Sequence, residues 1–337
     1  MTRLACIDIG TVTARLAVAD VEDGRVVRLA KRSEICNLGQ DVDATGRLDE
    51  GAMARVLACV RGYVESARDA GAVAACCTLT SAARDAENSS VLGTELDALG
   101  LDPLIIPGQV EGALTFLGVT RDFRGQNVLV ADNGGGSTEL ACGRSNDDGT
   151  LDLRFVRSID VGCRRVTEKF LSPVGPDAAD DVARAHEFAA AAFGPTVREG
   201  GLLAAGVEGA GADAPATLVV TGGTVTSLVA VQKELEPYDP ARVHLATLSR
   251  DDLERLEGRL AALTVEGRAA LPGLMAKRAP VILGGVVAVL ELMRQTGFSQ
   301  LTVSESDLLF GLAVAAETTL RGVESPVGWG PTMRVLR

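Results

Sequence analysis

The chain has 337 residues, a formal net charge of −12 at pH 7 and 47% hydrophobic residues, with aromatic residues at only 3%. This length favours two domains, and the acidic balance argues against general binding to nucleic acid or to an anionic membrane. Seven cysteines without a C-x-x-C pair are typical of reduced core thiols in a cytoplasmic protein, and only two histidines argue against a histidine-rich metal site.

The first third of the chain alternates strand and helix patterns. After Met1-Thr2-Arg3 the sequence goes directly into a strand pattern, without the features of a signal peptide. The patterns predict strands over 3–9, 13–21, 25–32, 73–79 and 104–106, and helices over 49–70, 88–99 and 109–119.

The alternation starts again at Asn127. Here the patterns predict strands over 128–132, 137–143 and 216–220, helices over 162–171, 176–190, 249–262, 280–296 and 306–320, and a hairpin tip at Asp147-Asp148-Gly149. The longest apolar run, 281–290, is too short to cross a bilayer, so no membrane association is expected.

The order of elements predicts an α/β fold with two domains. A polar link at residues 121–125 separates domain I, residues 1–120, from domain II, residues 121–305. The last helix, about 306–320, is expected to pack back onto domain I, and the glycine- and proline-rich residues 322–337 are expected to form a loosely held tail.

An internal repeat connects the two predicted domains. Residues 8–17, Asp-Ile-Gly-Thr-Val-Thr-Ala-Arg-Leu-Ala, match residues 132–141, Asp-Asn-Gly-Gly-Gly-Ser-Thr-Glu-Leu-Ala, at a constant offset of 124 without a gap. Each copy ends one strand, turns at glycine and begins another. A repeat at this spacing indicates a duplicated domain.

The repeated pattern suits the binding of a phosphate chain and its cation. A carboxylate at a strand end can bind a hard metal ion through oxygen, and glycines allow backbone N–H groups to approach an anion. Two such hairpins that face each other across a cleft would hold a phosphate chain. Either copy by itself is equally typical of an ordinary hairpin with a glycine turn.

The two hairpins resemble the phosphate-binding loops of the actin, Hsp70 and sugar-kinase superfamily. Within it, the chain resembles a short, two-domain form of the exopolyphosphatase / guanosine pentaphosphate phosphatase (Ppx/GppA) family over about residues 4–315. Four further segments carry this resemblance: 80–88 (Thr-Ser-Ala-Ala-Arg-Asp-Ala-Glu-Asn), 107–113 (Pro-Gly-Gln-Val-Glu-Gly-Ala), 160–168 (Asp-Val-Gly-Cys-Arg-Arg-Val-Thr-Glu) and 220–224 (Val-Thr-Gly-Gly-Thr).

The resemblance implies a fold and a reaction. The fold is α/β, with duplicated ribonuclease-H-like, actin-like domains on either side of a cleft. The reaction is release of terminal phosphate from inorganic polyphosphate or guanosine pentaphosphate by water, with Mg²⁺. The resemblance also allows a homodimer. It implies no nucleic-acid partner.

The resemblance also implies roles for individual residues. Glu111 would be the catalytic base, although a glutamate in the first turn of a helix is also a common partner of the helix dipole. The metal ligands would be Asp8, Asp132 and Glu139. Arg164 or Arg165, and Arg278, are further candidates for phosphate contacts. The phosphate-binding residues would be Gly10, Thr11, Thr13, Arg15, Arg84, Gly134, Gly135, Gly136, Ser137, Gly222, Gly223 and Thr224.

Four positions depart from the family pattern. Val12 replaces an asparagine, Val110 a glutamate, and Leu309 and Phe310 an arginine and a glutamate. These changes leave a non-catalytic sensor of alarmone or polyphosphate as an alternative. An ATP-dependent kinase or ATPase of the same superfold is a second alternative, for which Ile282-Leu283-Gly284-Gly285 would bind adenosine if it is not a core helix.

Overall fold

The structure is a computed structural model that describes residues 1–146 and 148–336. It has mixed α/β architecture, as the sequence predicts. The chain forms two compact units. The first holds Met1–Gly118 and the segment that begins at Leu308, and the second holds Val119–Asp307. In the predicted hairpin tip at 147–149, Asp147 lies outside the described residues.

The first unit begins with three strands and continues with alternating helices and strands. In chain order its elements are β1 (Thr2–Ile9), β2 (Thr13–Glu22), β3 (Arg25–Ile35), α1 (Val42–Thr45), α2 (Glu50–Asp69), β4 (Ala74–Leu79), α3 (Ser81–Asp85), α4 (Ser89–Ala98), β5 (Pro103–Ile105) and α5 (Gly108–Val119).

The first sheet has the strand order β4-β1-β2-β3, with β5 parallel to β4. β1 lies antiparallel to β2 and parallel to β4. Side chains alternate between the faces of a strand, and β1 shows this directly. Ala5, Ile7 and Ile9 join the core that includes the buried side of α2, whereas Leu4 and Cys6 join the core on the opposite face.

The second unit repeats this plan. Its elements are β6 (Asn127–Asn133), β7 (Thr138–Ser145), β8 (Leu151–Ile159), α6 (Cys163–Phe170), α7 (Ala179–Gly200), β9 (Thr217–Thr221), α8 (Gly223–Gln232), α9 (Pro240–Val243), β10 (Thr247–Ser249), α10 (Arg250–Ala261), α11 (Val265–Ala269), α12 (Ile282–Thr296) and β11 (Gln300–Ser304), with 3₁₀ turns at Thr120–Asp122 and Ala276–Arg278.

The second sheet has the order β10-β11-β9-β6-β7-β8. Its run β9-β6-β7-β8 matches β4-β1-β2-β3 of the first sheet in order and direction. The duplication found in the sequence is therefore a duplication of the sheet topology. The sequence patterns did not predict α8, because this helix is buried on nearly all sides and has no amphipathic period.

The chain returns to the first unit after the second. Helix α13 (Leu308–Arg321) places Leu308, Leu309 and Leu312 in the same core as Leu4 and Cys6 of β1. An added Cβ at Gly311 would lie 1.9 Å from the carbonyl oxygen of Leu114, so only glycine permits this approach of α13 to α5.

The tail, which the sequence predicts to be loosely held, pairs and packs with the first unit. Strand β12 (Arg334–Val335) pairs antiparallel with β4. Val327, Trp329 and Met333 pack against the core beneath α13. The glycine and proline content of the segment predicts a loosely held tail, whereas the contacts of Val327, Trp329 and Met333 remove part of their apolar surface from water.

No helix in the described part of the chain is both long and apolar enough to cross a membrane.

Candidate active site

The first repeated hairpin makes a closed turn. Gly10 donates its backbone N–H to the carbonyl oxygen of Thr13 at 2.9 Å. The carbonyl of Val12 accepts bonds from the N–H groups of Cys36 and Asn37, and that of Thr11 accepts from Gly39. Segment 36–39 therefore fixes the loop carbonyls on the protein side, as expected of a loop whose N–H groups bind an anion.

The second hairpin has the same construction. Gly134 donates to the carbonyl of Ser137 at 3.0 Å, and the Gly135 carbonyl accepts from the N–H of Arg164 at 2.8 Å. Arg165 donates from Nε to the carbonyl of Gly136 at 2.7 Å. Arg165 thus holds the loop from the protein side through Nε, and the phosphate contact predicted for it stays a prediction.

Asp8 lies at the end of β1, opposite Arg15 of β2 and beside Thr78 of β4. Arg15 donates to Oδ2 of Asp8 from Nη2 at 2.7 Å and from Nε at 3.1 Å. Thr78 donates from Oγ1 to Oδ1 at 3.0 Å. The Asp8 side chain is almost fully buried, so the ion pair neutralises a carboxylate that would otherwise be costly to bury.

Asp132 takes the place of Asp8 in the second unit. It lies opposite Glu139 of β7 and beside Thr221 of β9. The residue in the place of Arg15 is therefore a second carboxylate. Glu139 is 2% exposed, and its Oε1 accepts hydrogen bonds of 2.7 Å from both Ser137 and Ser158. The repeat thus carries an ion pair in one unit and two neighbouring carboxylates in the other.

The Asp132–Glu139 pair is a suitable partner for a hard divalent cation. Mg²⁺ prefers oxygen and takes one or two carboxylates, with water and substrate phosphates as its other ligands. The described residues contain no group of three or more histidine, cysteine, aspartate or glutamate side chains that could hold a metal by themselves. The donor set fits Mg²⁺ at Asp132 and Glu139 and fits less well at Asp8, whose oxygens accept from Arg15 and Thr78.

Glu111 lies in the first turn of α5 and is 8% exposed. Arg84, the basic residue in the last turn of α3, donates from Nη1 to Oε2 of Glu111 at 2.7 Å. The same nitrogen donates to the carbonyl of Ile106 at 2.9 Å. The two residues predicted to act as base and as phosphate ligand are therefore bonded to each other. A buried carboxylate held in this way has one orientation, which a general base requires.

The third glycine loop runs from β9 into α8. Gly222 has φ +108°, and a Cβ there would lie 2.6 Å from the carbonyl oxygen of Asn133 and 3.4 Å from Oδ1 of Asp132. Gly222 therefore brings the start of α8 against the end of β6. The first N–H groups of a helix, together with its dipole, favour an anion at this end.

Arg278 covers the same loop. A Cβ on Gly223 would lie 2.2 Å from Nη1 of Arg278, so the guanidinium lies directly on the glycine. Tyr238 is nearby and donates its hydroxyl to Glu305. Burial raises the pKa of Tyr238, and the Glu305 carboxylate raises it further, so the phenol stays protonated. The loop thus has the Arg278 cation against it, while the Tyr238 hydroxyl hydrogen is donated to Glu305.

The buried cysteine at the second loop has a structural role. Cys163 begins α6 and donates its backbone N–H to the carbonyl of Gly134 at 2.9 Å. Burial raises the pKa of the Cys163 thiol, so we expect no reactive thiolate there.

Sequence reasoning did not find Thr78, Thr221 or Ser158. Thr78 and Thr221 occupy equivalent places beside the two repeated aspartates, and Ser158 contacts Glu139 from β8. The usable signal is a threonine close to each strand end, since Thr78 is the penultimate residue of the predicted strand 73–79 and Thr221 directly follows the predicted strand 216–220. No local pattern marks Ser158, because its role depends on the register of β7 and β8.

The sequence model of the Ppx/GppA phosphatase family matches residues 17–318. The chain is similar to exopolyphosphatase 2 of Mycobacterium tuberculosis, at 34% identity over 94% of this chain and 98% of that protein. A crystal structure of the Aquifex aeolicus Ppx/GppA family member is 27% identical, with a TM-score of 0.75 over 95% of this chain and 98% of the other. An exopolyphosphatase from Cytophaga hutchinsonii, 24% identical, shares the fold with a TM-score of 0.80 over 97% and 100%.

Proposed function

This chain belongs to the Ppx/GppA phosphatase family, and on that premise we propose that it releases terminal orthophosphate from inorganic polyphosphate. The observation that carries the proposal is the duplicated hairpin. In each unit a buried aspartate ends a strand and is followed by a closed glycine turn. Similarity to an exopolyphosphatase along almost the whole chain supports the choice of substrate.

The proposed reaction is direct attack of water on a terminal phosphoryl group. Glu111 accepts a proton from the attacking water, and its bond to Arg84 fixes the direction from which it does so. In phosphoryl transfer most of the rate enhancement comes from positioning and charge neutralisation rather than from covalent chemistry. The buried, oriented carboxylate of Glu111 meets the need for positioning.

The N–H groups of the glycine loops are proposed to bind phosphate oxygens. These loops contain Gly10, Thr11 and Thr13 in the first unit, and Gly134–Ser137 and Gly222–Thr224 in the second. Arg15 and Arg84 are proposed to bind phosphate in addition to their carboxylate partners. A guanidinium has five N–H donors, so one side chain can serve a carboxylate and a phosphate together.

Mg²⁺ is the proposed cofactor. When bound, it would neutralise phosphate charge and orient the phosphate oxygens. Asp132 and Glu139 would hold it, and Asp8, whose oxygens accept from Arg15 and Thr78, is the weaker of the proposed ligands. Ser137 and Ser158 orient Glu139 for this role through their hydrogen bonds to Oε1.

Three of the four departures from the family pattern make apolar or cation–π contacts within the first unit. Leu309 is fully buried in the core with β1, and Val110 packs against that core. Phe310 lies 5.7 Å beneath the ammonium of Lys31. The side chains present at these three positions therefore pack within the first unit. The hydrolase remains the favoured function over a non-catalytic sensor.

The segment 282–285 does not support an adenosine site. It forms the first turn of α12, and both glycines are buried. A Cβ on Gly284 would lie 2.4 Å from the Cys163 carbonyl oxygen, and one on Gly285 would lie 2.3 Å from Oγ1 of Thr224. The glycines permit close helix packing, which is the core-helix interpretation.

Guanosine pentaphosphate is a second proposed substrate, since its terminal phosphoanhydride presents the same chemistry.

We also propose a cytoplasmic location, supported by seven free cysteines. The proposed homodimer follows from the family resemblance and is tested by sedimentation at several protein concentrations.

The decisive experiment measures phosphate release by purified protein with Mg²⁺ from short-chain polyphosphate, guanosine pentaphosphate and ATP in parallel. Glu111→Gln is the control, since it removes the base with little change in shape. We expect release from polyphosphate that falls roughly 10²- to 10⁴-fold in the variant. Tight binding of polyphosphate without release by the wild type would identify a sensor instead.

A further inference from the structure

Residues 36–48, between β3 and α2, form a segment (the clasp) that holds the first hairpin loop by its backbone. Cys36 donates its N–H to the Val12 carbonyl at 3.0 Å, and Gly39 donates its N–H to the Thr11 carbonyl at 2.8 Å. Two consecutive carbonyls of the loop therefore accept hydrogen bonds from the same neighbouring segment. The position of the loop backbone depends on the position of the clasp.

The other end of the clasp is bonded to the chain that follows α3. Asn88 accepts from the Leu48 N–H through Oδ1 at 2.7 Å and donates from Nδ2 to the Leu48 carbonyl at 3.0 Å. Glu87 donates its backbone N–H to the Gly46 carbonyl at 2.9 Å. The clasp is thus bonded to the loop at one end and to the chain next to α3 at the other. Asn88, the last residue of the motif at 80–88, has its role here.

Gly39 is the point at which the clasp, the loop and α3 meet. A Cβ added to Gly39 would lie 2.3 Å from Cγ2 of Thr11 and 3.1 Å from the Cβ of Ala82 in α3. Thr11 and Ala82 are both buried. The backbone of Gly39 is not in the left-handed region, so the position requires the absence of a side chain rather than an unusual backbone conformation.

This packing determines the direction of the Thr11 hydroxyl. The Cγ2 methyl group of Thr11 faces Gly39. Because Oγ1 is bonded to the same Cβ as this methyl group, the hydroxyl is directed away from Gly39. The χ1 angle of threonine is restricted to a few staggered rotamers, and a side chain at position 39 would collide with the methyl group in the rotamer observed. A change of rotamer would redirect the hydroxyl of a residue that is proposed to bind phosphate.

The same contact fixes α3 beside the loop. Ala82 lies two residues before Arg84 in this short helix. Arg84 in turn donates to the Glu111 carboxylate. The contact at Gly39 therefore relates the loop that is proposed to bind phosphate to the helix that orients the proposed base.

We propose that the clasp positions the first loop and α3 for catalysis and that Gly39 is its key positioning residue, an inference that rests on the proposed function of this loop. By leaving room for the Thr11 methyl group, Gly39 fixes both the Thr11 hydroxyl and the separation between the loop and α3. Gly39 acts through Thr11 and Ala82 rather than on the substrate. Such a contribution can be large, because a displacement of about 1 Å at a site can lower a rate roughly 100-fold.

The test is a compensating pair of substitutions in the full chain. Gly39→Ala adds the Cβ that collides with the Thr11 methyl group, and Thr11→Ser removes this methyl group but keeps a hydroxyl. The closest atoms to the added Cβ are then the Cβ atoms of Ala82 and of residue 11, at 3.1 and 3.3 Å, which small shifts can accommodate. Release of phosphate from short-chain polyphosphate is measured for the wild type, both single variants and the double variant. Gly62→Ala is the control, because no atom lies within 4 Å of the Cβ added there in α2.

We expect Gly39→Ala to lower kcat/KM by about 10-fold or more in the wild-type background. In the Thr11→Ser background the same substitution should lower kcat/KM by less than about 3-fold, because the two side chains are coupled through one contact. Gly62→Ala should leave kcat/KM unchanged. Equal losses from Gly39→Ala in the two backgrounds would overturn the inference, and so would the absence of a loss in the wild-type background.

Amide exchange provides a readout that does not depend on turnover. Peptides that cover residues 10–14 and 80–86 should exchange faster in Gly39→Ala and return toward the wild-type rate in the double variant. Asn88→Ala, which removes both bonds to Leu48 without adding an atom near the loop, should also raise exchange in the 10–14 peptide, and it serves if Gly39→Ala does not fold. If the wild type releases no phosphate, the proposed function fails, while exchange still decides whether the clasp positions the loop. Unchanged exchange of the 10–14 peptide in these variants would overturn the inference.

Discussion

Arg84 and Glu111 are joined by a hydrogen bond of 2.7 Å from Nη1 to Oε2, although 27 residues separate them in the sequence. The same nitrogen also donates to the Ile106 carbonyl, directly before the Pro107 that starts the turn into α5. The bond to the Ile106 carbonyl therefore fixes the Arg84 guanidinium. The guanidinium in turn holds the Glu111 carboxylate in one orientation. Two candidate site residues thus act as one unit.

This pairing predicts a non-additive effect of mutation. Arg84→Ala should lower kcat by roughly 100-fold, because Glu111 loses its orientation. The double variant Arg84→Ala/Glu111→Gln should be slower than Glu111→Gln alone by less than the roughly 100-fold that Arg84→Ala costs by itself, because only the proposed phosphate contact of Arg84 is then left to lose. Steady-state kinetics of the four proteins measure this cycle, with Arg47→Ala as a control because the Arg47 side chain forms an exposed ion pair with Glu87. If the fall in kcat of the double variant equals the product of the two single falls, Arg84 acts independently of Glu111.

Ser158 is predicted to position Glu139 for the proposed metal. Ser158→Ala removes one of the two hydroxyl donors to Oε1, so the Mg²⁺ concentration for half-maximal activity should rise by about 10-fold or more. Binding of Mn²⁺, followed by electron paramagnetic resonance, should weaken in parallel. Ser158→Thr keeps the hydroxyl and should restore both. Unchanged metal affinity in Ser158→Ala would argue against Glu139 as a ligand.

Gly222 is predicted to tolerate no side chain. Gly222→Ala would place a Cβ 2.6 Å from the Asn133 carbonyl at a φ of +108°, so the loop must shift away from Asp132. We expect kcat/KM to fall by about 10-fold or more. Gly258→Ala, on an open helical position of α10 with no atom within 4 Å of the added Cβ, should stabilise the protein by about 0.5–1 kcal/mol. Equal activity of both variants would contradict the role given to the loop.

His186 makes the stability of the second unit depend on pH. Its nitrogens contact Glu257 of α10 and Glu291 of α12, and Arg294 is also adjacent. Burial by itself would lower the pKa of His186, but the two glutamates outweigh burial and raise this pKa to about 9 from 6.5.

Because the folded pKa is the higher one, the contribution is complete below pH 6.5 and is lost as pH rises through 9. The free energy of unfolding should fall by roughly 2–4 kcal/mol over this range. Urea denaturation from pH 6 to 9.5 measures the fall, and His186→Gln should flatten the curve. An equally steep curve in the variant would assign the pH dependence to other groups.

Asp177 and Arg268 form a fully buried ion pair in the second unit. Arg268 also donates from Nε to the Leu260 carbonyl at 2.7 Å, and Asp177 accepts from the Ser172 N–H at 2.6 Å. Asp177→Ala leaves a buried guanidinium without its carboxylate, and we expect a loss of about 3–5 kcal/mol in the free energy of unfolding. Glu199→Ala breaks an exposed pair with Arg157 and should cost less than about 1 kcal/mol. Similar losses in the two variants would contradict this account.

The sequence by itself determined the α/β class, the duplication and most of the strands and helices. Asp8 and Asp132, with the glycines that follow each, were visible because a strand end and a glycine turn are set by residues adjacent in the chain. The family motifs also pointed to Glu111 and Arg84. These features depend on local periodicity and turn chemistry, which a linear sequence records directly.

Only the tertiary structure decided which side chains meet. Arg15 lies against Asp8, whereas Glu139, at the same place in the repeat, lies beside Asp132 and under Ser158. The register of neighbouring strands decides these pairings. The contacts of Val327 and Trp329 with the core of the first unit likewise could not be predicted from the composition of the tail. Contacts between distant residues depend on how faces pack, and that information is distributed over the whole chain rather than held in any one motif.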